Sequence, residues 1–205
     1  MHDDGITHLF FDVGGVLGTP GWGTNDRAKA AARFGYDPKD VERRHFGVVS
    51  AWETGAMTID EYLDHTVFAQ PRDFTREQFT AYMRSRSVPN AETVSIARAL
   101  AATGRYHMAT LNNESEALNV YRLECFGLPE IFDVFLSSCW LGVSKPARRI
   151  YALALDLTRA EPGRSLFIDD REENLEPARE LGMHTIRFTS AADLRPSLDA
   201  LGITF

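Results

Sequence analysis

A small set of polar residues stands where apolar runs stop. Asp12 follows Leu9-Phe10-Phe11, Asn112 and Asn113 follow Leu111, Lys145 precedes Pro146, and Asp169 and Asp170 follow Leu166-Phe167-Ile168. Brought together, they supply three carboxylates, one ammonium and two amides. Clustered carboxylates repel one another and need a cation. Hard oxygen ligands with open positions suit Mg²⁺, which also takes phosphate oxygens. A carboxylate can attack phosphorus and form an aspartyl-phosphate that water later cleaves. An ammonium beside it neutralises both the nucleophile and a phosphoryl oxygen. Gly14 and Gly15 open a glycine-rich stretch that continues through Gly18, Gly21 and Gly23, and its backbone N–H groups can hold phosphate oxygens. Taken singly, these signals are weak. An Asp at a strand end is usually a turn or cap residue, and Asp169-Asp170 alone could favour the dipole of a following helix. Their order along successive strands is what carries the chemistry.

The elements that must position these residues are legible in outline. A buried strand ends at Asp12 and runs into the glycine-rich loop. From about 25 to 86 no strand is apparent. Segments 25–34, 38–52, 59–68 and 76–86 have helical apolar spacing, with Asp60 and Thr75 at N-cap or first-turn positions. Val88-Pro89-Asn90 reads as an exit linker, because proline disfavours helix at the residue before it. Beyond it, strands at 106–111, 134–138, 165–169 and 184–188 alternate with helices at 91–103, 114–125, 146–157, 172–181 and 191–201. That alternation predicts an α/β fold with a parallel, Rossmann-like sheet and helices on both faces. Ligands of such a sheet bind outside the carboxyl ends of the strands, where the polar residues above fall. The expected organisation is a core of residues 1–20 and 88–205 with a small helical unit, residues 21–87, inserted after the first strand.

These motifs resemble those of the haloacid dehalogenase-like superfamily over nearly the whole chain. Phe10-Phe11-Asp12-Val13-Gly14-Gly15-Val16-Leu17 is similar to its first motif and Leu111-Asn112-Asn113 to its second. Lys145-Pro146 is similar to the third, and Phe167-Ile168-Asp169-Asp170 with Asn174 and Ala178 to the fourth. The helical insert sits where the family carries a small cap. The branch it looks most like holds sugar-1-phosphatases and the N-terminal phosphatase domain of soluble epoxide hydrolase. The resemblance implies a Mg²⁺-dependent phosphatase for a small phosphorylated metabolite. Asp12 would be nucleophile and metal ligand, and Gly14 would lend the metal its backbone carbonyl. Asp170 would be the main fourth-motif ligand, with Asp169 close by. Asn112 and Lys145 would act on the phosphoryl group, with Gly15 and Asn113 beside it.

Two positions depart from the family pattern. The usual second Asp of the first motif, a general acid and then base, is Gly14 here. General acid–base catalysis contributes about 10²–10⁴-fold, so its loss implies a good leaving group, an acid supplied by the cap, or slow turnover. Asn112 stands where the family has Ser or Thr, and Thr110 lies two residues too early to replace it. Gly14 also keeps two rivals in view: a metal-independent haloacid dehalogenase, whose halide leaves without a proton, and a weakly catalytic protein that holds a phosphorylated ligand. The paired Asp169-Asp170 favours the phosphatase. Among cap residues, Trp22 could line the entrance or equally pack at the hinge, whereas Trp52, His45 and His65 read as core or surface residues. A cap histidine could replace the missing acid, but spacing selects none. Trp140 reads as a packing residue.

Bulk properties are ordinary for a soluble globular protein. The chain has 205 residues, 44% apolar and 25% charged, with a net charge of −7 from 22 basic and 29 acidic residues. No basic run or excess points to nucleic acid, and no apolar run is long enough for a bilayer. No signal-peptide pattern opens the chain. Cys125 and Cys139 lack metal-ligand spacing and read as small, buried or half-buried thiols. The expected setting is cytoplasmic, the expected partner a small phosphorylated molecule, and monomer or homodimer stays open.

Overall fold

The computed structural model describes residues 5–205. The chain enters β1 (His8–Phe11), whose Leu9, Phe10 and Phe11 are fully buried, as expected of a parallel strand covered on both faces. Four helices follow: α1 (Thr24–Phe34), α2 (Pro38–Glu53), α3 (Ile59–His65) and α4 (Arg76–Ser85). After α5 (Ala91–Ala102) come β2 (His107–Asn112), α6 (Glu116–Cys125), β3 (Val134–Ser137), a short α7 (Ser138–Leu141) and α8 (Arg148–Thr158). The chain closes with β4 (Ser165–Asp169), α9 (Glu172–Glu180), β5 (His184–Arg187) and α10 (Ala191–Ala200). All strand pairs are parallel, in the order β3-β2-β1-β4-β5.

Side-chain alternation along the strands sorts the core into two layers. Leu9, Phe11, Leu166 and Ile168 pack with Leu100 of α5 and Leu194 and Leu198 of α10. Phe10, Leu111 and Phe167 pack on the other face with Ile150 and Tyr151 of α8 and Leu175 of α9. Helices therefore cover both faces, as the alternating pattern predicted.

Helices α1 to α4 bury a third cluster of their own, rich in aromatic residues: Trp22, Tyr36, Trp52, Tyr62 and Phe79. The Trp52 and Tyr62 rings stack at 3.8 Å with planes 9° apart. Thr58 and Thr75 each close a capping box, with Glu61 and Gln78, which satisfies otherwise orphaned N–H groups at these helix starts. Two seams join this cluster to the sheet. At one, Thr19 Oγ1 donates to Arg86 O at 2.7 Å and accepts from Val88 N–H at 3.0 Å. At the other, Ser138 Oγ donates to Glu53 O at 2.6 Å. Gly55, at φ 78°, lies so close to Cys139 O that an added Cβ would stand 2.1 Å from it.

Several boundaries differ from expectation. The helix expected at 114 starts at Glu116, because Glu114 is buried in the preceding loop and accepts from Ser115 N–H at 2.9 Å. The strand expected to reach 138 stops at Ser137, where α7 begins. The helix expected at 59–68 ends at His65, and a 3₁₀ turn follows. Cys139 is buried, but Cys125 is exposed rather than buried or half-buried.

Candidate active site

β1 and β4 are neighbours in the sheet, yet the chain leaves β1 toward β2 and leaves β4 toward β5. Such a reversal opens a crevice at the carboxyl ends of the two strands. The register pairs Phe11 with Ile168, so Asp12 and Asp169 come next on adjacent strands. Asp12 N–H donates to Ile168 O at 2.9 Å.

Lys145 joins the two carboxylates. Its Nζ lies 2.6 Å from Asp169 Oδ2 and 2.9 Å from Asp12 Oδ1, and all three residues are buried. Asp169 is heavily committed: it also accepts from Asn174 Nδ2 at 3.0 Å on both oxygens and from Arg171 N–H at 2.8 Å. Asp170 is not. Its Oδ1 is buried with no hydrogen-bond partner. One oxygen from each of Asp12, Asp169 and Asp170 lies within 4.8 Å of the others, a donor set of the kind that hard divalent cations take. Three carboxylates against one ammonium leave an excess of two negative charges if all are ionised. Burial pushes the Asp12 carboxyl up to about 7, Lys145 pulls it down, and Asp169 adds to the rise. Asp170 is raised by burial and then by Asp169. For Lys145, burial works against the charged form, but the carboxylates of Asp12 and Asp169 outweigh it and hold the ammonium charged.

The glycines divide in role. Gly15 sits at φ 84°, and a Cβ there would stand 2.4 Å from Asp170 Oδ2, so only glycine lets the loop pass this carboxylate. Gly14 is different: the nearest atom to an added Cβ is Gly21 N at 3.4 Å. The backbone would admit a side chain there, so the missing aspartate is a choice of sequence rather than of space.

The two asparagines also divide. Asn112 is buried, donates to Asn119 Oδ1 at 2.9 Å and accepts from Ser137 Oγ at 2.9 Å. Its side chain is spent on the neighbouring strand and α6, away from the crevice where it was expected to meet a phosphoryl group. Asn113 lies on the crevice wall and clamps the Lys145 backbone, accepting from Lys145 N–H at 2.8 Å and donating to Lys145 O at 2.9 Å.

A cavity of about 260 Å³ opens above the carboxylates, between the sheet edge and the aromatic helices. Asp12, Gly14, Lys145 and Asp170 form its floor side, while Trp22, Arg27, Trp52 and Glu53 come from the helical side. Trp22 lines it and also packs in the aromatic cluster, and Trp52 lines it while almost wholly buried. His45 does not reach it: it is buried and its Nδ1 lies 2.9 Å from Tyr62 Oη. His65 is exposed, and Trp140 is half exposed against Glu116. Glu53, Glu114, Arg27 and Arg171 line the cavity without having drawn notice in the sequence. No local motif marks them, because each comes from a different element.

The family model for haloacid dehalogenase-like hydrolases matches residues 6–182. Bifunctional epoxide hydrolase 2 of Rattus norvegicus is 32% identical over 133 residues, 63% of this chain, and the match spans only 24% of that larger protein. D-ribitol-5-phosphate phosphatase of Bacteroides thetaiotaomicron is 24% identical over 208 residues, 96% of this chain and 98% of its own length. Among solved structures, a HAD family enzyme of Bacteroides thetaiotaomicron, in complex with magnesium and inorganic phosphate, superposes with a TM-score of 0.77 at 22% identity, covering 90% of this chain and 95% of that one. An L-2-haloacid dehalogenase shares the fold at a TM-score of 0.62 and 19% identity, covering 88% and 83%.

Proposed function

This chain belongs to the haloacid dehalogenase-like hydrolases, and from that premise we propose that it is a Mg²⁺-dependent phosphatase of a small phosphorylated metabolite, with Asp12 as nucleophile. One observation carries the choice: the partnerless buried oxygen of Asp170, set among three carboxylates that a single lysine only part-neutralises. A halide-releasing enzyme of this fold has no use for that surplus charge, whereas a divalent cation removes it. Asp12, Asp170 and the Gly14 carbonyl would hold the ion, with Asp169 behind them. When bound, it supplies positive charge to the phosphoryl oxygens and keeps the carboxylates ionised.

The chain's own residues divide the rest. Asp12 attacks phosphorus, the bond to the leaving oxygen breaks, and an aspartyl-phosphate forms. Lys145, held by Asp169 and by the Asn113 clamp on its backbone, offsets the charge that builds on the phosphoryl oxygens. Water then cleaves the acyl phosphate and restores Asp12. We assign residues 21–87 as the cap, closing the cavity from above and keeping bulk water out. The cavity suits a small polyol or sugar phosphate. The full-length match to a D-ribitol-5-phosphate phosphatase supports that class.

The test is hydrolysis of 4-nitrophenyl phosphate in Mg²⁺ and in chelator, with Asp12→Asn beside the wild type. The expected result is turnover that needs the metal and falls at least 10³-fold in Asp12→Asn, about 4 kcal/mol of lost transition-state stabilisation. Metal-independent release of halide from a 2-haloacid would replace this assignment with a dehalogenase. A wild type that hydrolyses no ester, yet gains melting temperature with phosphate even as Asp12→Asn, would make it a binding protein.

A further inference from the structure

Gly14 leaves the phosphatase proposed above without a proton donor for the leaving group, and the cavity contains one candidate. Four acidic residues line it: Asp12, Glu53, Glu114 and Asp170. Asp12 is the nucleophile and Asp170 belongs to the metal cluster. Glu114 is spent, its Oε1 accepting from Ser115 N–H at 2.9 Å and its Oε2 from Arg122 at 3.3 Å. Glu53 remains. Among the described residues, its half-buried carboxylate has no hydrogen-bond or ion-pair partner. Its backbone, by contrast, is pinned. Ser138 Oγ donates to Glu53 O at 2.6 Å, and two residues on the chain presses Gly55 against Cys139 O. Glu53 therefore projects from the helical side of the cavity at the point where that side is fastened to the sheet.

We propose that Glu53 is the general acid and base of this active site, in the role for which Gly14 has no side chain. This rests on Asp12 being the nucleophile. In the first half-reaction Asp12 attacks phosphorus, the bond from phosphorus to the leaving oxygen breaks, and that oxygen takes the Glu53 proton. In the second, the Glu53 carboxylate takes a proton from water as the water oxygen attacks phosphorus. The bond to Asp12 breaks, phosphate leaves, and both carboxyl groups return to their starting states. The cavity, at about 260 Å³, is below the roughly 300 Å³ at which ligand pockets usually begin, so a leaving group bound there stays close to its walls.

The charges around Glu53 suit this work. Glu114 faces it from the loop before α6, Arg171 from the start of α9 and Arg27 from α1. Both arginines are engaged elsewhere, Arg27 by Glu42 at 2.6 and 2.7 Å and Arg171 by Glu173 at 2.5 Å. Burial first and Glu114 second push the Glu53 carboxyl up to about 7, and the arginines pull it back only in part. A carboxyl group that exchanges its proton near neutrality can serve both half-reactions.

Glu53→Gln, measured in Mg²⁺ on two substrates, provides the test. An alkyl phosphate such as glycerol phosphate needs a proton on its leaving oxygen, whereas 4-nitrophenolate leaves without one. For the alkyl ester, kcat/KM falls about 10²–10⁴-fold; wild type should lose activity as pH rises through about 7, and the variant should not. For the aryl ester, the variant releases one rapid equivalent of nitrophenolate per enzyme and then slows, because the aspartyl-phosphate waits for a base. An unchanged melting temperature and Mg²⁺ shift would show that the fold and metal site are intact. Equal losses on both esters without a burst, or no loss, would overturn the role of Glu53 while leaving Asp12 in place. Activity surviving in Asp12→Asn, or a wild type inert to both esters, would remove the nucleophile assignment and this inference with it.

Discussion

Asp170→Asn should stabilise the metal-free protein and nearly abolish its stabilisation by Mg²⁺. In the absence of metal, Asp170 Oδ1 is a buried acceptor with no donor, beside the Asp169 carboxyl group. A buried unsatisfied group costs about 1–3 kcal/mol. The side chain as a whole is only half-buried, so solvent screening puts the cost at the lower end. The amide still needs a partner but carries no charge for burial and Asp169 to oppose. The exchange should therefore recover the charge part of that cost, about 1 kcal/mol, which in a chain of this length raises the melting temperature by about 2–4 °C. Metal works the other way. A ligand present at about 100 times its Kd stabilises the folded state by about 2.7 kcal/mol, or roughly 5–10 °C on the same scale. The substituted amide offers that ion no charge, so most of the gain should vanish. Thermal melts of wild type and variant, each in chelator and in excess Mg²⁺, give four temperatures that decide the matter. A variant melting below wild type in chelator and keeping the full Mg²⁺ shift would refute both the orphaned carboxylate and its part in the metal site.

Gly15→Ala should lower stability by about 1–2 kcal/mol for the left-handed backbone alone. Its Cβ, 2.4 Å from Asp170 Oδ2, should also displace that carboxylate and weaken Mg²⁺ binding at least tenfold by calorimetric titration; unchanged affinity would contradict the contact. A second expectation concerns acid. Burial, then Arg27, lower the His45 pKa from 6.5 to about 4 in the folded protein. Between pH 6.5 and 4 the unfolded chain binds a proton that the folded chain does not, so stability should fall as pH drops through that window. His45→Gln should flatten this part of a curve of urea midpoint against pH. An unaltered slope would place the acid sensitivity elsewhere.

The strands were legible because each is a short apolar run bounded by turn residues. Burial on both faces leaves such runs little freedom to be anything else. Asp12, Lys145 and Asp169 were legible for a related reason. A parallel sheet brings the carboxyl ends of its strands together, so Asp12 and Asp169 meet at the ends of neighbouring strands, and Lys145 reaches both from the loop beyond α7. Asn112 shows where this stops working. It is the last residue of β2, opposite Ser137 of β3, and its direction depends on a two-residue period at the point where the strand ends. Position along the chain brought it to the sheet edge, but the cross-strand hydrogen bond from Ser137 turned it away from the crevice. His45, by contrast, is the core residue expected of it, buried with its Nδ1 2.9 Å from Tyr62 Oη.

The missing acid depends most on tertiary structure. Set beside the family pattern, Gly14 leaves the site without the usual proton donor, and nothing local names its replacement. Glu53 is the last residue of α2, flanked by no motif. It gains chemical significance only because Ser138 pins that helix end beside β3 and Glu114 lies buried across from it. The class of sheet, the family and the strand-end Asp12 with its lysine partner follow from local patterns taken in order, and the residues alone were enough for them. Which carboxylates lack partners, which asparagine faces the crevice and what shares a cavity with Asp12 emerge only once the chain has folded. These properties depend on burial and on neighbours distant in the chain, which no run of residues encodes on its own.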